Sequence, residues 1–281
     1  MADGGPAGMS DAGAVNGLLA QLRARRIFDL GQTFEWGMPE WPNQPPFVLS
    51  LFRRHGDFER PGGFGAAIDV LSMCCHNGTH LDALGHISEH GRLHGGLPAE
   101  AVQRGTRGLS ALGVDTVAPI VRRGLLLDLA GAMGVAELHP DRAIGAAELA
   151  AVAAGAGVRP AEGDCVLLRT GWGRHWPDPS RYLSSQTGVP GPDLEACRWL
   201  ADQGVFLVGA DTPTVEHFQP GAAAPPFQGH RHLIVERGIH LLENLNLEAP
   251  AAAGVRECLF VCLPLKLVGA TGSPVRPIAI A

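Results

Sequence analysis

His76-Asn-Gly-Thr-His80-Leu-Asp82-Ala-Leu-Gly-His86 gathers three imidazoles and one carboxylate within a few residues, directly after the apolar run Ile68–Cys75. Residues four apart in a straight strand stand roughly 13 Å apart at about 3.3 Å per residue, too far for His76 and His80 to share an ion. The chain must bend between them. Asn77-Gly78 is a turn dipeptide, and Gly78 admits a positive φ, so the strand can fold over at that point. Beyond the bend His80 and Asp82 are two apart, which in an extended segment puts both on one face. His76, His80 and Asp82 then form a two-nitrogen, one-oxygen set with a coordination position left open, as in catalytic rather than structural sites. His86 lies just past the set, where a general acid/base belongs. A pair of surface histidines on a helix is the ordinary reading of HxxxH, but Gly78 argues against a helix and the zinc-protease Glu is missing.

Working outward, Ile27–Leu30 reads as the first strand, and the proline-rich stretch 32–64 as irregular. Its Trp36, Trp41 and Phe47, with Trp172 further on, are candidates for an apolar wall against the substrate; the alternative is that these aromatics complete the core. Pro98–Arg104, Gly145–Ala154 and Pro192–Asp202 read as helices. Gly124–Leu129, Cys165–Arg169, Val205–Gly209, Ile239–Leu242 and Cys258–Leu267 read as strands. Alternating strands and helices with no internal repeat predict an α/β fold with a mixed sheet in one domain, residues 27–281. Before it, residues 1–26 form a tail without regular structure through Val15 and a short amphipathic helix, Asn16–Arg26. His90 and His94 read as solvent-facing or supporting groups, Asp211 as a turn cap, and Arg276 as one side of a salt bridge.

The 281 residues are 46% hydrophobic, enough for a large core, and carry a formal charge of −6 with a single lysine, Lys266. That composition offers no basic patch for nucleic acid or an anionic membrane. The six cysteines lack CxxC spacing and sit mostly in apolar runs, the pattern of reduced thiols in a cytoplasmic protein. No leader or spanning segment is evident, and no GxSxG nucleophile elbow occurs.

The 76–86 stretch resembles the HxGTHxDxxxH signature of the cyclase-like metal-dependent hydrolases, the family of bacterial kynurenine formamidase and isatin hydrolase. Gly163–Trp172, Gly209-Ala-Asp-Thr212, Gly238–Leu245 and Gly272–Arg276 are similar to further stretches of that family, where a Pro often replaces Leu84. The resemblance implies a swivelling β/β/α barrel-like domain in a homodimer or homotetramer. It also implies hydrolysis of a formamide, cyclic amide or ester, with metal on His76, His80 and Asp82 and His86 as acid/base. It further implies a candidate second metal site using the shared Asp82, Glu243 and a late His, for which His230 and His232 both qualify. Mixed nitrogen and carboxylate donors suit Zn or Mn. Ring closure in a biosynthetic pathway and non-catalytic binding of a small molecule remain the alternative functions.

Overall fold

The structure is a computed structural model that describes residues 11–184, 187–222 and 225–281. Its strands are β1 (Ile27–Asp29), β2 (Val48–Arg53), β3 (Ile68–Ser72), β4 (His80–Asp82), β5 (Ile120–Asp128), β6 (Ala143–Ile144), β7 (Cys165–Arg169), β8 (Gly191–Pro192), β9 (Leu207–Ala210), β10 (His240–Glu243), β11 (Glu257–Cys262), β12 (Gly272–Pro274) and β13 (Ile278–Ile280). Nine of them form one curled sheet in the order β1-β13-β11-β5-β7-β9-β10-β4-β12. The centre, β5-β7-β9-β10, is parallel, and the flanking pairs are antiparallel. This is the mixed α/β sheet expected from the alternation of elements.

The central strands are continuous apolar runs because both faces are covered. Within β7, Val166 and Leu168 enter one core with the helices Ala146–Gly155 and Leu194–Asp202. Cys165 and Leu167 enter the opposite core with Leu126, Leu242 and Phe260. β4 obeys the same alternation: Leu81 joins the second core, so His80 and Asp82 face the other way.

Several boundaries differ from the sequence reading. The first helix runs Asp11–Arg23 rather than from Asn16, because Ala12 and Ala14 favour helix and extend it N-terminally. Residues 11–15 are therefore helical, while the rest of the expected tail, 1–10, lies outside the described residues. The proline-rich stretch is not wholly irregular: its proline-free part forms β2, which pairs with β3 as a separate two-stranded ribbon. β3 ends at Ser72, three residues short of the expected end. β11 stops at Cys262, where Pro264 ends the ladder, and Leu263 and Leu265 are exposed. Asp211 caps a turn, though not the one beside it: it accepts from the backbone N–H of Thr170 and Gly171 and from the Thr170 hydroxyl at the end of the neighbouring strand β7. Arg276 pairs with Asp29 at 2.6 Å.

Candidate metal centre

β4 is the hub. Its antiparallel register on β10 sets Glu243 opposite His80 and Leu241 opposite Asp82, so Glu243 joins the His80–Asp82 face. Asn77 donates its backbone N–H to Cys74 in the turn before β4. Gly78 takes φ +64° there, and the bend brings the His76 ring to 5.2 Å from that of His80. His76 Nδ1 lies 2.7 Å from Asp82 Oδ1. On the other side β12 pairs with β4, and the absence of a side chain at Gly272 leaves room for the His76 ring, which a Cβ would strike at 2.6 Å.

A Cβ at Gly78 would collide with the Phe34 ring, and the φ there already disfavours any side chain. Gly78→Ala is expected to destabilise the protein by about 2–4 kcal/mol, combining left-handed strain with overpacking. Urea unfolding of the two proteins checks this.

Two donor sets share Asp82: His76, His80 and Asp82, and Asp82, His230 and Glu243, each with its donor atoms within 4.8 Å of one another. His80 Nε2 is 3.5 Å from Asp82 Oδ1 and 3.4 Å from Glu243 Oε2. His230 Nε2 is 3.7 Å from Asp82 Oδ2 and 3.1 Å from Glu243 Oε1. Donors at about 2.0–2.1 Å from a tetrahedral ion stand about 3.3 Å from each other, so these separations match ligands spread around a cation. The buried Asp82 Oδ2 has no hydrogen-bond partner among the described residues. An orphaned buried carboxylate oxygen is costly, and a cation would satisfy it. The residues therefore fit a divalent metal.

Supporting groups orient the imidazoles. His80 Nδ1 lies 2.9 Å from the Gly78 carbonyl; a carbonyl only accepts, so Nδ1 carries a hydrogen and Nε2 is the nitrogen turned to the site. Asn244, at φ +58°, donates Nδ2–H to the same carbonyl at 2.8 Å. The Tyr182 hydroxyl in turn donates to Asn244 Oδ1. His230 Nδ1–H donates to Glu216 at 2.5 Å, which turns its Nε2 towards Glu243 and Asp82. Thr271 Oγ1 holds His76 Nε2 at 2.9 Å.

The electrostatics follow from burial and neighbours. Burial alone would raise Asp82, but the imidazoles of His86, His76 and His80 hold it well below the usual carboxylate range. Burial opposes charge on His80, yet the Asp82 hydrogen bond and the charges of Asp82 and Glu243 raise it. For His230 burial is likewise outweighed, by Glu216 and Glu243. Burial pushes His86 down to about 3 against the pull of Asp82, so its ring is neutral at neutral pH. That ring stacks on His76 with centroids 3.9 Å apart, and His86 Nε2 is 4.0 Å from Asp82 Oδ2.

His76, His80, Asp82, His86, His230 and Glu243 thus converge. His232 does not: its Nδ1 pairs with Glu236, and it lies outside both donor sets. Of the expected wall, only Trp41 lines the cavity over the site. Trp36 is 64% exposed and donates to the Leu49 carbonyl. Phe47 and Trp172 are core residues packed with Met38, Trp176 and Tyr182, because their rings have more apolar surface to cover beneath the loop than above it. His94 supports the Val235 carbonyl, and His90 lines no part of the cavity. Glu216, Asn244, Tyr182, Thr271 and Gln44 were not singled out from the sequence. Asn244 follows Glu243, which was, but no local pattern distinguishes it or Glu216.

A buried carboxylate shared by two His/carboxylate donor sets, with a neutral imidazole alongside, on a mixed α/β sheet, defines a candidate metallohydrolase centre. Residues 28–217 match the family described as "Putative cyclase", and the chain belongs to that family. It is 29% identical over 254 residues to kynurenine formamidase of Paracidovorax citrulli, covering 90% of this chain and 96% of that protein. A solved structure described as a novel cyclase superposes with a TM-score of 0.82 at 24% identity, over 95% of this chain and 90% of its own. An isatin hydrolase bound to the product analogue thioisatinate gives 0.75 at 23%, over 97% and 99%. The family and its curated relatives make this chain a cyclase-family hydrolase. Among the described residues no helix is long and apolar enough to cross a membrane.

Proposed function

We propose that the protein is a metal-dependent amidohydrolase that opens a formamide, lactam or related ester of a small apolar or aromatic compound. The observation that carries this reading is the shared buried Asp82, whose Oδ2 is unpartnered between His86 and His230. His76, His80 and Asp82 would hold one divalent ion, Zn or Mn, and Asp82, His230 and Glu243 a second. When bound, such ions supply Lewis acidity and lower the pKa of water towards neutrality.

The protein's own groups do the rest. His86, neutral and lining the cavity, takes the proton of the attacking water as oxygen bonds to the acyl carbon. As the C–N bond breaks, the same imidazole returns that proton to the leaving nitrogen. Glu216 and the Gly78 carbonyl orient His230 and His80 so that their Nε2 atoms face the site, and Thr271 Oγ1 holds the His76 ring in place. A cytoplasmic homodimer or homotetramer belongs to the same reading, supported by the exposed apolar side chains of the β2–β3 ribbon, among them Leu51, Phe52 and Val70; light scattering on the purified protein checks the assembly.

The test is elemental analysis joined to turnover of aryl formamides, lactams and lactones. One or two metals per chain with metal-dependent hydrolysis is the expected result; metal bound with no turnover of any of them would favour the ring-forming or binding alternatives. Because the neighbouring carboxylates raise both His80 and His230 above the ordinary imidazole value, metal must displace protons to use their Nε2 lone pairs. Uptake is therefore expected to release protons at pH 7 and to tighten as pH rises from 6 to 8. Titration in weak buffer with a pH indicator measures both.

A further inference from the structure

The cavity over the donor sets encloses about 170 Å³, close to the volume of about 150 Å³ that admits one benzene ring. Its apolar walls come from Trp41, Phe227, Leu183 and Pro39, with Trp41 edge-on to Phe227 at 6.3 Å. Phe227 holds φ +55°, a strained setting for an aromatic residue, and is braced by stacking on Phe218 at 5.6 Å. No Lys or Arg lines this cavity, and the undescribed positions carry neither in the sequence. Arg231, next to His230, is turned to Glu89 in an ion pair. The carboxylates are also committed: Glu216 to His230, and Glu243 to His230 and the Val215 N–H. The polar feature left over is neutral. Gln44 lines the cavity, and its carboxamide oxygen is buried without a hydrogen-bond partner among the described residues.

We infer that the site takes an uncharged single-ring aryl acyl compound, with the Gln44 carboxamide hydrogen-bonding a neutral polar group on it, and rejects compounds bearing a carboxylate or an amino-acid tail. A charged substituent on the ring would lose its hydration against Trp41 and Phe227 with no Lys or Arg on the wall to meet it, the imidazoles of His80 and His230 being already engaged by Asp82, Glu243 and Glu216. A neutral amide or hydroxyl satisfies Gln44 instead. This inference rests on the hydrolase reading above for the scissile bond, and on the cavity alone for the charge selection.

Two formanilides of equal size separate the cases: 4-formamidobenzamide and 4-formamidobenzoate, assayed with the zinc-loaded protein. The expected kcat/KM is about 100-fold higher for the benzamide. Gln44→Lys, which supplies the missing cation, is expected to narrow that preference at least about tenfold by raising kcat/KM for the benzoate. Equal or reversed preference in the wild type would overturn the inference. Calorimetric binding of 4-acetylbenzamide and 4-acetylbenzoate, ketones with no leaving group, reads the selectivity without turnover. If neither formanilide is hydrolysed but the neutral ketone binds at least tenfold tighter, the hydrolase reading fails and the charge selection stands. If the ketones bind equally, the charge selection fails whatever the turnover.

Discussion

Asp82→Asn is expected to reduce bound metal from as many as two ions per chain to less than one and to lower kcat/KM at least about 10⁴-fold. Asp82 is the one residue in both donor sets, so its neutralisation removes a ligand from each. Metallohydrolases draw a large part of rate enhancements of 10⁶ or more from their ions, and losing both leaves only binding and proton transfer. The Asn side chain has the same shape, and Leu81 beside it still fills the core. The metal-free variant should therefore keep its circular dichroism and a Tm close to that of the metal-free wild type. Metal at 100 times its Kd stabilises a folded protein by about 2.7 kcal/mol; that gain should appear in the wild type and vanish in the variant. Full metal content in Asp82→Asn would remove Asp82 from the ligand set.

His86→Ala should behave in the opposite way with respect to metal. The ring belongs to neither donor set and its Nε2 stands 4.0 Å from the nearest Asp82 oxygen, so metal content should be unchanged. kcat should fall about 10²–10⁴-fold, the usual worth of a positioned acid/base, with KM little altered. The vacated space lies over His76, on which the His86 ring stacks, and added imidazole should restore part of the rate. A loss of metal on substitution would instead make His86 a ligand.

The two results bear on different parts of the sequence's legibility. His76, His80, Asp82 and His86 could be read locally because their relation depends on short-range rules. A strand alternates faces every residue, and a glycine turn brings a preceding residue back alongside it. The apolar runs of β5, β7 and β9 were equally legible, since strands covered on both faces need continuous hydrophobic sequence. β2 was hidden by the prolines around it, which made the whole stretch look irregular although Val48–Arg53 contains none.

The choice between His230 and His232 belongs to a different class. Two residues apart on a helical segment point to nearly opposite sides, so only one can face Asp82, but the sequence does not say how that segment is rotated on the sheet. Packing of Leu233 and Ile234 into the core beneath the parallel strands sets the rotation, and it sends His230 to Glu216 and Glu243 and His232 to Glu236. The aromatic wall is a similar case. Composition announced abundant Trp and Phe near the site, but whether a ring covers the core or the cavity depends on the path of a long loop over the sheet. Trp41 reached the cavity; Trp36, Phe47 and Trp172 did not.

By itself, the sequence determined the mixed α/β architecture and marked residues 76–86 as a candidate metal-binding stretch, because both readings arise from residue type, short spacing and hydrophobic period. Only the tertiary structure decided that Glu243 stands across from His80, that Glu216, Asn244 and Thr271 support the site, and that no Lys or Arg among the described residues lines the cavity. Those relations join residues far apart in the chain, and it is strand register and core packing, not spacing along the sequence, that bring them together.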